Sequence, residues 1–311
     1  MGIFVYMFHW LRNFIFPGRR CVSDDLCKCI SFFLREPLRA VICTLHRNAL
    51  FLHQVEHRRV HAIDRYRIRQ YAARFELQQS NKFYSLTEID GRSRILATYH
   101  FGDFVYGINY LLCLDPPGRN RFVLSHARSN RSYAENMCNA FGAPVVGGAA
   151  QLISADTSTA ALSVLLRQGN CTLVIFCDLP SGSGELVRVK FLNRVAWFPR
   201  GPATLAITNR TPLLAVINYL DQGINKIDLA QQIEPDLLPG ESLETGVRRI
   251  TQLLINYFEQ YFLRFPEQWR YLRHLPLYFV EEKAESGLSC QLICKGQHGN
   301  STVHKFTTAR S

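Results

Sequence analysis

The sequence predicts an α/β protein, with a single mixed, largely parallel sheet flanked by helices and an N-terminal helical, membrane-associated region. Three observations predict it. Short apolar runs of strand length recur between segments whose apolar residues fall at helical spacing, turn residues close most of these runs, and the first quarter of the chain is both helical in period and basic. The chain has 311 residues, of which 47% are hydrophobic, 12% aromatic and 20% charged, so it can bury a full core and global disorder is excluded. Its 13 prolines and 19 glycines show no repeat, which removes collagen-like and solenoid architectures. The length fits one large domain with added helices, divided into residues 1–20, an interfacial helix; 21–80, a helical region; 81–280, the α/β domain; and 281–311, a loose polar tail.

The net charge is +11, and residues 1–75 contain 13 Lys or Arg against 5 Asp or Glu, an excess of eight in the first quarter. Such a region calls for a polyanion, either nucleic acid or an anionic membrane surface, and its neighbours decide which. Met1 to Phe16 read MGIFVYMFHWLRNFIF, broken only by His9, Arg12 and Asn13. Crossing a bilayer takes about 18 to 20 apolar residues, so this run does not span. Its charge lies inside the run, and Pro17-Gly18-Arg19-Arg20 offers no signal-peptide cleavage site. The reading is a helix lying in the membrane interface, with Trp10 and the Phe residues at the acyl boundary. Arg12, Arg19 and Arg20 then meet head groups, each contributing roughly 1 kcal/mol. The alternative is an ordinary buried first helix. A nucleic-acid partner is disfavoured, because Phe, Ile and Met between the charges would expose apolar surface without lipid.

From about Ser31 to Leu77 apolar residues recur at helical spacing, as in Phe32, Phe33, Leu38, Val41, Ile42 and Leu45, and the whole stretch reads as helix. His53, His57 and His61 fall on one helical face, but no carboxylate or cysteine completes a ligand set by spacing. They read as a polar stripe, and no metal is predicted. The ten cysteines include no CxxC pair, and reduced thiols in a cytosolic setting are expected.

The chemistry is expected further along. Arg94 to Tyr99 is a short apolar strand, His100-Phe101-Gly102-Asp103 a turn, and Phe104 to Leu112 a helix. Thr159 to Gln168 is a helix closed by Gly169, Thr172 to Cys177 a buried strand, and Asp178 to Gly184 a loop at its carboxyl end. Leu186 to Phe191 is a further strand. After a turn at Asn193-Arg194, Ala196 to Ala203 opens a helix running through Thr208, and Leu213 to Tyr219 is again a strand. Ligands of such sheets bind beyond the carboxyl ends of the strands, where both His100 and Asp178 lie. A histidine there suits proton abstraction from a hydroxyl. Asp103, on the same side of the first helical turn, is in reach of the imidazole Nδ1 and can leave Nε2 as base. The plain alternative is a structural histidine capping the turn. No GxSxG elbow, GxGxxG or Walker loop is present: Gly182-Ser183-Gly184 lacks a strand-to-helix context.

In order and rough spacing these segments resemble the lysophospholipid acyltransferase superfamily, in its bacterial lipid A late (lauroyl and myristoyl) acyltransferase branch. The resemblance runs from roughly Val55 to Pro276. It rests on Tyr99-His100-Phe101-Gly102; on Cys177-Asp178; on Val189-Lys190-Phe191-Leu192 followed by Phe198 to Ala206; and on Phe265-Pro266-Glu267-Gln268-Trp269-Arg270-Tyr271-Leu272-Arg273-His274, the most specific piece. It implies transfer of a fatty acyl group from an acyl carrier protein or coenzyme A thioester to a hydroxyl, or an amine, of a glycolipid or other lipid-like acceptor. It also implies no metal or redox cofactor and a location at the cytoplasmic face of the bacterial inner membrane. His100 matches the family's catalytic histidine and Asp178 its later acid. The family's acid five positions after the histidine is here Val105, which leaves Asp103 as the near acid. The family's following arginine is missing from Tyr133 to Ile153, with Arg128 and Arg131 just upstream. Arg128, Arg131, Arg188 and Arg200 are the candidate substrate-binding residues. A catalytically silent relative that binds lipid or acyl carrier protein is the competing expectation.

Overall fold

A computed structural model describes residues 24–61, 75–78, 91–115, 118–125, 150–180, 184–230 and 232–279. The stretches read as the interfacial helix (1–20) and the polar tail (281–311), and the candidates Arg128 and Arg131, lie outside the described residues.

In chain order the elements are α1 (Asp24–Leu34), α2 (Leu38–His61), β1 (Phe75–Leu77), β2 (Arg94–Thr98), α3 (Phe104–Cys113), β3 (Asn120–Ser125), β4 (Gln151–Ser154), α4 (Thr159–Arg167), β5 (Cys171–Phe176), β6 (Leu186–Phe191), β7 (Arg194–Pro199), α5 (Gly201–Asn209), β8 (Leu213–Asp221), β9 (Ile224–Leu229) and α6 (Leu243–Arg264). Two 3₁₀ turns follow, Pro266–Gln268 and Leu272–Tyr278. Seven strands form one sheet in the order β1-β9-β8-β2-β5-β3-β4. From β8 to β4 all neighbours are parallel, and β9 runs antiparallel to β8, so the sheet is mixed and mostly parallel.

The strand interiors read as continuous apolar runs because both faces are covered. Ile95 and Ala97 of β2, Leu173 and Ile175 of β5, and Leu213, Ala215 and Ile217 of β8 pack on one face with α1, α2, α4, α5, α6 and the β6–β7 hairpin. Leu96, Val174, Phe176, Leu214 and Val216 point to the other face, which among the described residues α3 covers with Phe104, Val105, Ile108, Leu111 and Leu112. At the amino end of the strands Arg94 pairs with Asp115, Arg121 lies 3.7 Å from the same carboxylate, and Arg119 donates to the carbonyls of Arg92 and Cys171. Burial, then the charges of Arg119 and Arg121, pull the Arg94 guanidinium down to about 9.

Two sequence expectations are corrected here. Phe75–Leu77 is not the end of the helical region but an edge strand, parallel to β9 in the register Phe75↔Asn225. Three residues are too few for a period to separate strand from helix, and the partner lies far along the chain. Arg194–Pro199 is a strand as well, and the helix begins only at Gly201. Leu192 and Asn193 both take left-handed φ values (52° and 60°), a two-residue hairpin turn that folds β7 back on β6 in the register Val187↔Phe198. Ala196 and Phe198 then point inward by alternation.

Within the helical N-terminal region, α1 and α2 are separated at Arg35, whose φ is 54°, and Pro37 precedes α2. Ile30, Phe33, Val41 and Leu45 face the sheet, and Asn48 donates to the carbonyls of Glu267 and Trp269, both at 2.8 Å. His53 and His57 share a face of α2 with ring centroids 6.3 Å apart, and the side chain of His61 lies outside the described residues. None of the described helices is long and apolar enough to cross a membrane.

Candidate active site

The parallel register of β2 and β5 brings His100 and Asp178 together. The ladder runs from Arg94↔Thr172 to Thr98↔Phe176, and the Cys177 amide continues it by donating to the Thr98 carbonyl at 2.8 Å. Carried two residues past the ladder, the same offset sets His100 beside Asp178. The β2–β8 ladder, Ile95↔Leu213 to Ala97↔Ala215, likewise sets Asn218 on the other flank. Asn218 continues the even-numbered row of β8, the row that faces α3, and His100 packs against Phe104 of that helix.

The turn holding His100 is tied on several sides. Tyr99 donates its hydroxyl to the Leu254 carbonyl at 2.7 Å, the Gly102 amide donates to the Gln268 carbonyl at 3.1 Å, and the Arg270 amide donates to the His100 carbonyl at 2.9 Å. Phe101 and Trp269 form an isolated antiparallel bridge. Gly102 has φ +58° and lies so close to the Asn218 backbone that a Cβ would overlap it, so only glycine fits. The Gln268 side chain clamps Leu220 of β8, accepting from its amide at 2.7 Å and donating to its carbonyl at 2.6 Å.

Asp178 is fully buried, at 0% side-chain exposure, and meets donors on both oxygens. Oδ1 faces His100 Nδ1 at 2.8 Å, while Oδ2 accepts the His100 backbone amide at 2.7 Å and the Trp269 indole N–H at 2.8 Å. Tyr278 donates its hydroxyl to the Asp178 carbonyl at 2.6 Å. Burial, then the Asp178 charge, push the Cys177 thiol and the Tyr278 phenol well above their ordinary ranges, so both remain protonated and Tyr278 stays a donor. A carboxylate on Nδ1 fixes the tautomer with Nδ1–H and leaves Nε2 as the acceptor. The imidazole is 12% exposed. It stacks on Phe176 with centroids 4.0 Å apart and meets Phe104 and Tyr271 edge-on at 4.8 and 4.9 Å. The arrangement is a histidine held by a buried acid within an aromatic wall, with Nε2 in the form that can accept a proton.

Of the two acids the sequence offers for Nδ1, the nearer Asp103 is the expected one and the distant Asp178 the alternative; the group found there is Asp178. Asp103 is buried at the residue preceding α3, with φ −94° and ψ 60°. The ladder between β2 and β5 decides the pairing, and closeness in sequence does not. Val105, at the resembled family's acid position, belongs to the apolar core under α3. Arg188 is exposed on the hairpin, with its guanidinium 5.5 Å from the centroid of the Trp197 ring. Arg200, just before α5, pairs with Glu244 at 2.8 Å and Glu185 at 3.6 Å, tying the hairpin to the start of α6. The structure therefore unites His100 with Asp178 and gives Arg188 and Arg200 other partners.

Trp269, Tyr278, Phe176, Tyr271 and Asn218 were not read as site residues from the sequence. Trp269 had a signal, since its segment stood out, but nothing local indicated that its indole reaches Asp178. Asn218 is wholly buried beneath Gly107 of α3, and its side-chain amide has no hydrogen-bond partner among the described residues. Among the described residues, no three His, Cys, Asp or Glu side chains are grouped to hold a metal ion. Comparison of the chain with protein-family models gives no match, and comparison with characterised proteins gives none.

Proposed function

We propose that this protein is a peripheral membrane acyltransferase that moves a fatty acyl group from an acyl carrier protein or coenzyme A thioester to the hydroxyl, or an amine, of a glycolipid or similar lipid. The observation that carries the reading is the His100–Asp178 pair at the carboxyl end of the parallel sheet, with Nε2 left as base. His100 Nε2 takes the proton of the acceptor hydroxyl as its oxygen attacks the thioester carbonyl. The C–O bond forms, the C–S bond breaks, and the imidazolium returns the proton to the departing thiolate. No side-chain nucleophile enters this step, and the thioester is the co-substrate without a metal or redox cofactor. Phe104, Phe176 and Tyr271 surround the imidazole with apolar rings, a setting suited to an acyl substrate.

Association with the cytoplasmic face of a bacterial inner membrane is part of the same reading. Its support is the apolar and basic run Met1 to Arg20 and the outward side of α1 and α2. There Phe32, Leu38, Ile42 and Leu50 are exposed among Arg35, Arg39 and Arg47, with no acid from Pro37 to Val55.

The test is mass spectrometry of total lipids and small acylated metabolites from cells expressing the protein or its His100→Ala variant. An acylated product present with the wild type and missing with the variant is the expected result. Identical profiles would sink the enzyme reading. They would favour the second one, a silent lipid- or acyl-carrier-binding relative, which Val105 in place of an acid supports.

A further inference from the structure

The segment from Phe265 to His274 does more than close the domain. Trp269 is fully buried among the rings of Phe258, Phe262 and Tyr278, at centroid distances of 5.4, 5.3 and 5.3 Å. Its carbonyl accepts from Asn48 of α2, and its neighbour Gln268 grips both backbone groups of Leu220. An aromatic cage of this kind would also take phenylalanine, so packing alone does not call for an indole. The one polar atom of the ring is aimed at Asp178 Oδ2 at 2.8 Å.

We propose that Trp269 is a positioning residue for the His100–Asp178 pair: its indole N–H carries part of the Asp178 charge, so the carboxylate holds Nδ1–H without drawing a second proton onto the ring. The reasoning is electrostatic. A fully buried carboxylate depends on its donors, and each neutral donor on it weakens its pull on a neighbouring imidazolium. Here Oδ2 has two neutral donors, the His100 amide and the indole. The histidine keeps its orientation through the carboxylate, and the indole, by sharing the carboxylate's charge, works against a second proton on the ring, leaving the form a base needs. Among the described residues, Asp178 holds Nδ1 and Tyr271 packs edge-on on the ring, while Asp103 heads α3 and Arg270 contributes its amide to the His100 carbonyl.

The effect on rate rests on the acyltransferase reading, whereas the effect on the imidazole does not, so the test is made without acyl donor. Histidine side-chain NMR of the full chain in detergent micelles gives the titration midpoint of His100. Trp269→Phe is expected to raise it by about half a pH unit or more. Tyr278→Phe, which removes a donor from the Asp178 backbone carbonyl and not from the carboxylate, is expected to leave it in place. In the wild type the Trp269 indole proton should exchange slowly with water and shift through the same titration as His100. A folded Trp269→Phe protein with an unmoved midpoint overturns the proposal. Should that variant fail to fold, the wild-type indole decides: rapid exchange, or a shift that ignores the His100 titration, overturns it, and a protected, coupled indole supports it.

Discussion

Asp178 grips His100 twice, accepting the backbone amide on Oδ2 at 2.7 Å and facing Nδ1 with Oδ1 at 2.8 Å. One carboxylate thus fixes where the histidine backbone lies and which ring nitrogen carries the proton. Both contacts follow from two adjacent parallel strands ending at the same level.

His100→Ala should lower acyl transfer by about 10² to 10⁴ with little change in melting temperature, the usual contribution of a positioned base. Asp178→Asn should cost a comparable factor, because an amide against Nδ1 admits the wrong tautomer, whereas Asp103→Asn should cost less. Initial rates for the three variants, beside circular-dichroism melts, check this. Full activity in folded Asp178→Asn would remove it from the mechanism.

Gly107 packs so tightly over Asn218 that a Cβ there would overlap the side-chain amide. Gly107→Ala should destabilise the protein by about 1 to 3 kcal/mol as α3 lifts from the sheet. Adding Asn218→Ala should recover part of that loss, since the clashing group is a side chain. At Gly102 the obstacle is the Asn218 backbone and φ is positive, so Gly102→Ala should lose more, with no such recovery. Urea unfolding of the single and double variants reads this out; additive effects of Gly107→Ala and Asn218→Ala would contradict it.

Glu241 receives two hydrogen bonds from the Arg249 guanidinium and one from the Leu238 amide, which, Arg249 first, bring its carboxyl down to about 2. A carboxyl whose folded value lies below its ordinary 4.5 adds stability that is fully present above about 4.5 and is lost as the pH falls toward 2. Calorimetry should therefore show a steeper fall in melting temperature across that window for the wild type than for Glu241→Gln. Parallel curves would mean that the pair adds nothing.

Deleting Met1 to Arg20 should move the protein from the membrane fraction to the soluble one with cooperative unfolding retained. Flotation on anionic vesicles and a thermal melt decide between that outcome and a truncated protein that aggregates, which would make those residues part of the core.

Local periodicity determined much of this molecule. The apolar runs of β2, β5, β6 and β8, the helical spacing of α3 and α4, and the placement of His100 and Asp178 at strand ends are properties of neighbouring residues, because burial on two sheet faces or one helical stripe writes a short repeat into the chain. Tertiary structure alone decided the partners. Asp103 was the nearer acid, yet the β2–β5 register put Asp178 on Nδ1. Phe75–Leu77 became a strand because β9 was there to pair with it, and Arg194–Pro199 because two left-handed residues turned it back on β6. The indole of Trp269 met the Asp178 carboxylate across 91 residues of chain. Register and cross-chain packing are collective choices among many distant contacts, and no window of sequence contains both sides of them.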